Sequence, residues 1–195
     1  MNVANGQICC NTFKELSHVK SVEAKPQQYR SLAFFADSMH GGLARKLRIF
    51  GMDTAYSSSI TDDLILRECR DQLRILLTSD KDLFKRSLNK RIGSVLLQDH
   101  SDKENMVKIF GECNIRYLLY DPASARCPTC NLELEKKERR EIDDELRNLI
   151  PPKSYLVYSN FYLCHRCRKI YWEGSHKAAL VSLAESVNHE LCRIS

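Results

Sequence analysis

Through the middle of the chain, short apolar runs alternate with stretches of helical spacing. LAFFAD (32–37), TAYSS (54–58), RILLT (74–78), GSVLLQD (93–99) and RYLLY (116–120) are the runs. LARKLRIFG (43–51), DDLILRECRDQ (62–72), DLFKRSL (82–88) and DKENMVKIFGEC (102–113) fall between them. Strand and helix alternating at this interval predict a parallel sheet with crossover helices, an α/β domain over residues 31–121. Residues 75–77, which lead into LLTSDKDLF (76–84), are apolar throughout, as in a strand buried on both faces, and the Thr/Ser/Asp cluster after them signals a helix start.

After Asp121-Pro122 the character changes, and residues 122–195 read as a second module. CPTC (127–130) opens it, the charged run ELEKKERREIDDELR (133–147) predicts a solvated helix, and Pro151-Pro152 stops that helix. An aromatic, strand-like stretch then leads to CHRC (164–167), and residues 177–191 predict a closing amphipathic helix. Residues 1–30 form an extension with little periodicity that ends in a polar, loop-like KPQQYR.

Composition narrows the class. With 43% hydrophobic and 28% charged residues the chain is ordinary for a soluble globular protein, and no apolar run approaches a membrane span. The N-terminus lacks the layout of a signal peptide, so the expected location is cytoplasmic. Nine cysteines in a reducing compartment favour metal binding over a disulfide framework. A net charge of +5 permits a nucleic-acid partner without demanding one.

Acids recur where strands end. Asp37 ends LAFFAD, Asp80 and Asp82 follow RILLT, Asp99 ends VLLQD, and Asp62-Asp63 open a helix between two strands. In a parallel sheet all carboxyl ends share one edge, so these groups can converge although they are distant in sequence. Converging carboxylates repel one another unless a cation neutralises them, and oxygen-only ligands favour Mg²⁺ or Mn²⁺, ions that act on phosphodiesters. Two other readings stand beside this one. Each Asp can simply cap a helix. Alternatively, one strand-end Asp is a phosphoacceptor, with Thr78 and Lys81 as partial companions. Near the first acid, Gly41-Gly42 permit a tight helix start, and Arg45 and Lys46 sit one turn in. These cations either attract a phosphate or, with Arg48, form a solvated face.

Cys127-x-x-Cys130 and Cys164-x-x-Cys167 each offer two thiolates from one turn, and four thiolates match a tetrahedral, structural Zn²⁺ with no open position. A redox reading fits poorly because neither pair opens a βαβ helix. His165 lies inside the second knuckle, where an outward contact suits it better than ligation.

With these residues assembled, the chain resembles the Mut7-C family, PIN-like ribonuclease domains followed by a zinc ribbon. The matching stretches are FFADSMHGGLARKLRIFGMDT, DDLILRECRDQLRILLTSDKDL, both knuckles and RKIYWEGSH. The resemblance implies a PIN-like open parallel sheet flanked by helices, plus a zinc ribbon. It also implies metal-dependent hydrolysis of RNA, with Asp37, Asp63 and Asp80 as ion ligands and Asp62, Asp82 and Asp99 in support. Trp172 and His176 fall in the matched YWEGSH, near basic Arg166, Arg168 and Lys169, a combination suited to single-stranded RNA. Packing or capping of the last helix is the alternative for His176. Asn131 and Arg168 follow the two knuckles; a glycine is usual in the family at the second position. The competing function is a non-catalytic RNA-binding or ribosome-associated module.

Overall fold

The computed structural model describes residues 31–98 and 101–194, so the N-terminal extension and Asp99 lie outside the described residues. Four short parallel strands build the first sheet: β1 (Ala33–Ala36), β2 (Asp53–Tyr56), β3 (Ile75–Thr78) and β4 (Ser94–Leu96), in the order β2-β1-β3-β4. Alternation along β1 and β3 sends Phe34, Ala36 and Leu77 to one face and Phe35 and Leu76 to the other. All five are buried, which accounts for runs that are apolar at every position.

Helices cover both faces. Packed on the first are α1 (Gly41–Ile49) through Leu43, Ala44 and Leu47, and α4 (Asp102–Glu112) through Met106, Ile109 and Phe110. On the second are α2 (Asp62–Asp71) through Ile65, Leu66 and Cys69, and α3 (Lys81–Asn89) through Leu83. The result is the α/β architecture expected from the alternation of strand and helix.

Beyond residue 121 a three-stranded antiparallel sheet forms, with β6 (Asn160–Leu163) between β5 (Glu135–Glu138) and β7 (Ile170–Tyr171). Its small core centres on Ile150, Phe161 and Ile170. Two short helices, α5 (Asp144–Arg147) and α6 (Pro152–Val157), fill the long connection between the knuckles. The final helix α7 (Lys177–Ile194) follows the ribbon in sequence but packs elsewhere: Ala184, Val187 and Leu191 join the core beneath α4.

Three local expectations are corrected. RYLLY is not a strand. Its backbone is held instead by a side chain of α7: Leu118 N–H donates to Asn188 Oδ1 at 2.7 Å, and Asn188 Nδ2 donates to Leu118 C=O at 2.9 Å. The charged run does not continue as one helix. Its residues Glu135–Glu138 pair with β6, and cross-strand bonding prevails over the helical preference of Glu and Lys while their charges blunt a sheet edge. Arg48 is not on a solvated face but is 4% exposed.

Candidate functional site

The carboxyl edge of the first sheet is organised by Thr78, a fully buried residue at the end of β3. Its hydroxyl donates to Asp37 Oδ2, and its oxygen accepts the Asp80 N–H at 3.0 Å. The adjoining ends of β1 and β3 are joined again by Asp37 N–H donating to Leu77 C=O at 3.1 Å. Two acids 43 positions apart in sequence are thereby tied to one hydroxyl.

Both acids also cap helical turns. Asp37 Oδ1 accepts from Met39 N–H at 3.1 Å, closing the 3₁₀ turn Ser38–His40. Asp80 Oδ1 accepts from Asp82 N–H at 2.7 Å and from Leu83 N–H at 3.0 Å at the start of α3. Asp80 Oδ2 has no donor among the described residues. Asp37 is buried without a lysine or arginine partner among the described residues, and the His40 imidazole stands close, its Nε2 3.9 Å from Asp37 Oδ1. A buried carboxylate satisfied by neutral donors alone is a favourable place for a cation, because desolvation is not offset by a paired charge.

The helix-start acids are arranged differently. Arg86 of α3 bridges Asp62, at 2.9 Å through Nη1, and Asp63 through Nη2. Asp63 is largely exposed, with 82% of its side-chain surface free. Asp82 points outward and pairs with Lys85 at 3.6 Å. Lys46 donates to Asp102, joining α1 to α4, while Arg45 remains exposed. Among the described residues, the group of three or more metal-ligating side chains that meet within 4.8 Å is the four cysteines. The acids do not gather at that radius.

The cysteine centre is complete. Cys127 and Cys167 sulfurs are 3.6 Å apart and those of Cys130 and Cys164 are 3.2 Å apart. Each knuckle closes in the same way: Asn131 N–H donates to Cys127 C=O and Arg168 N–H to Cys164 C=O, both at 2.9 Å. Both residues adopt left-handed backbones, φ 64° and 58°, so Arg168 takes the turn conformation despite its bulk. Burial raises the Cys127 pKa, but hydrogen bonds from the Tyr171 hydroxyl and the Cys130 and Thr129 N–H groups outweigh it and bring the thiol down to about 6. Burial, with bonds to Cys164 and Cys127, pushes Cys130 up to about 12.

The first knuckle is fastened to the sheet. Arg48 Nε donates to Thr54 C=O at 2.8 Å, while its Nη1 donates to Pro128 C=O at 2.8 Å and Thr129 C=O at 3.2 Å. Asn131 Oδ1 accepts from Thr54 N–H at 3.1 Å, and its amide donates to Asp53 Oδ1 at 2.7 Å. Gly51, with φ 86°, fits close beneath Ser124, where a Cβ would come within 2.8 Å of the carbonyl oxygen.

Around the ribbon, His165 pairs with Glu135 at 2.6 Å and Arg168 with Glu145 at 2.7 Å, whereas Arg166 is exposed. Trp172 is half-buried and packs edge-on against Phe161. His176 is exposed, and its C=O accepts from Leu180 N–H in the first turn of α7. Sequence reasoning missed Arg48, His40, Ser79 and Arg86. Only Arg48 carried a signal, since it falls four residues after Ala44 on the apolar stripe of α1.

An open parallel sheet with acids at its strand ends, followed by a four-cysteine antiparallel module, defines a PIN-like α/β protein with a second part compatible with a zinc ribbon. A family model described as the Mut7-C RNAse domain matches residues 32–184. The chain belongs to the Mut7-C family, whose description points to a function of ribonuclease type and to RNA as substrate. Comparisons with curated proteins and with solved structures give no match.

Proposed function

We propose that the chain is a Mg²⁺- or Mn²⁺-dependent ribonuclease that hydrolyses phosphodiester bonds of single-stranded RNA at the carboxyl edge of β1 and β3. The observation that carries this reading is Asp37, a buried carboxylate held by Thr78 and a backbone N–H and paired with no lysine or arginine among the described residues. Asp37 and the free Oδ2 of Asp80 fit a hard cation by donor chemistry, with Asp63 as third ligand once Arg86 yields it. Asp62 shares that arginine, whereas Asp82 points outward and Asp99 lies outside the described residues. When bound, the ion supplies an activated water and charge stabilisation for the leaving oxygen. Thr78 fixes the spacing of the two acids, and exposed Arg45 and Arg166 offer cations to the RNA backbone. In the cysteine set Zn²⁺ has a structural role, because four thiolates leave no position open for chemistry.

One observation favours a second reading. Arg86 already neutralises Asp62 and Asp63, as expected of a non-catalytic RNA-binding module in which the acids only stabilise helix starts. Incubating the zinc-loaded chain with single-stranded RNA and Mn²⁺, with and without chelator, separates the two. Cleavage should require the ion, and Asp37→Asn should lower it by about a hundredfold or more, the loss of several kcal/mol of charge stabilisation, while zinc content and the folded state persist. Cleavage by Asp37→Asn at the wild-type rate would overturn the assignment.

A further inference from the structure

His40 stands at the junction of the 3₁₀ turn and α1, with φ −107° and ψ 30°, outside the regular helical region. Its position relative to Asp37 is fixed by the backbone, since His40 N–H donates to Asp37 C=O at 3.1 Å. The turn is also clamped from the side: a Cβ at Gly41 would lie 2.8 Å from the Tyr56 ring, and the Tyr56 hydroxyl donates to Ser38 C=O at 3.2 Å. The imidazole is therefore held in place, with only 10% of its side-chain surface exposed. Its Nε2 lies at the strand ends, 3.9 Å from Asp37 Oδ1 and 3.2 Å from Ser79 Oγ.

The Asp37–His40 separation matches what one ion can share. Two ligands with bonds of ~2.1 Å lie at most ~4.2 Å apart, and the Asp37–His40 pair falls inside that limit. Resting on the carboxylate site proposed above, we propose that His40 Nε2 is a further ligand for the ion at Asp37 and Asp80, making this a mixed oxygen–nitrogen site. A nitrogen donor suits transition ions better than Mg²⁺, which prefers oxygen throughout. The site should accordingly select Mn²⁺ over Mg²⁺, a preference that an all-carboxylate cluster would lack.

The experiment is Mn²⁺ binding to the zinc-loaded full chain, followed by electron paramagnetic resonance, with Mg²⁺ as competitor. Bound Mn²⁺ should show nitrogen modulation of the spin echo, and His40→Gln should remove that modulation and weaken Mn²⁺ binding about tenfold or more. Mg²⁺ affinity should move by less than about twofold. His40→Asp, which restores a donor as oxygen, should recover binding and shift selectivity toward Mg²⁺. A purely structural His40–Ser79 bond predicts instead that Asp37→Asn abolishes Mn²⁺ binding while His40→Gln leaves both affinity and echo unchanged, and that result overturns the proposal while sparing the carboxylate site. If wild type and Asp37→Asn alike bind no Mn²⁺, the carboxylate site itself falls, and the His40 assignment with it.

Discussion

The two candidate metal sites are built on opposite plans. All four thiols of the cysteine centre come from two tight turns that share one hydrogen-bonding pattern, and their sulfurs already meet within 4.8 Å. The carboxylates come from separate strand and helix ends, and two of them converge on Thr78 while two others are held by Arg86. A structural centre needs closure, which short loops provide cheaply in conformational entropy. A working site needs open positions, and its ligands are left with other partners to exchange.

The largest test of this contrast is Cys164→Ser. Zinc should be lost, and since structural zinc in such modules supplies on the order of 10 kcal/mol of folding free energy, residues 122–177 should lose protection from hydrogen exchange. Because Arg48 and Asn131 tie the knuckle to β2, the loss should spread to α1 and β2 while β3 and α3 stay protected. Uniform protection across residues 122–177 would show that the ribbon stands without its metal.

Arg48→Ala comes next. It strands the carbonyls of Thr54, Pro128 and Thr129 and should lower stability by on the order of 3 kcal/mol, read from denaturant unfolding. Zinc content should not change, which would show that the closed centre survives undocking.

A smaller effect is expected of Arg86→Ala on the open plan. Its ion pairs are partly exposed, so stability should fall by less than about 1 kcal/mol, but Asp62 and Asp63 would be released. Mn²⁺ affinity should rise if Asp63 serves as a ligand; an unchanged affinity would assign both acids to helix capping.

The smallest effect is a pH effect at the seam between the two regions. Burial raises the Asp53 pKa, but the hydrogen bonds from Arg74 and Asn131 outweigh it and hold the carboxyl below its ordinary 3.8. A group depressed in the folded state stabilises fully above 3.8, and that contribution is lost as pH falls through the folded value. Asp53→Asn should therefore lower stability at neutrality and flatten the acid limb, the two proteins converging as the pH falls through the folded value.

The sequence was most readable where geometry is local. C-x-x-C spacing named all four cysteines, and strand-end position named Asp37 and Asp80. It was least readable where a side chain substitutes for backbone. The 116–120 run has the composition of a strand, yet its partner is the Asn188 amide, which no pattern in RYLLY announces. The 133–147 run favours helix locally, and only pairing with β6 makes part of it a strand. His40 and Arg86 are polar residues near helix ends, and their roles depend on which side chains the fold brings across from other elements.

β2 is an outer strand of its sheet, and such strands invite addition of a foreign one. Here the Thr54 N–H faces the Asn131 amide, so the knuckle turn that organises the thiols also occupies the sheet's open side. Asparagine at that turn meets two demands that glycine would split: it tolerates the left-handed backbone and carries the amide that caps the strand. The knuckle thus covers one edge of the sheet at Thr54. Chain stripped of its metal should uncover that edge, read as faster hydrogen exchange at the Thr54 amide.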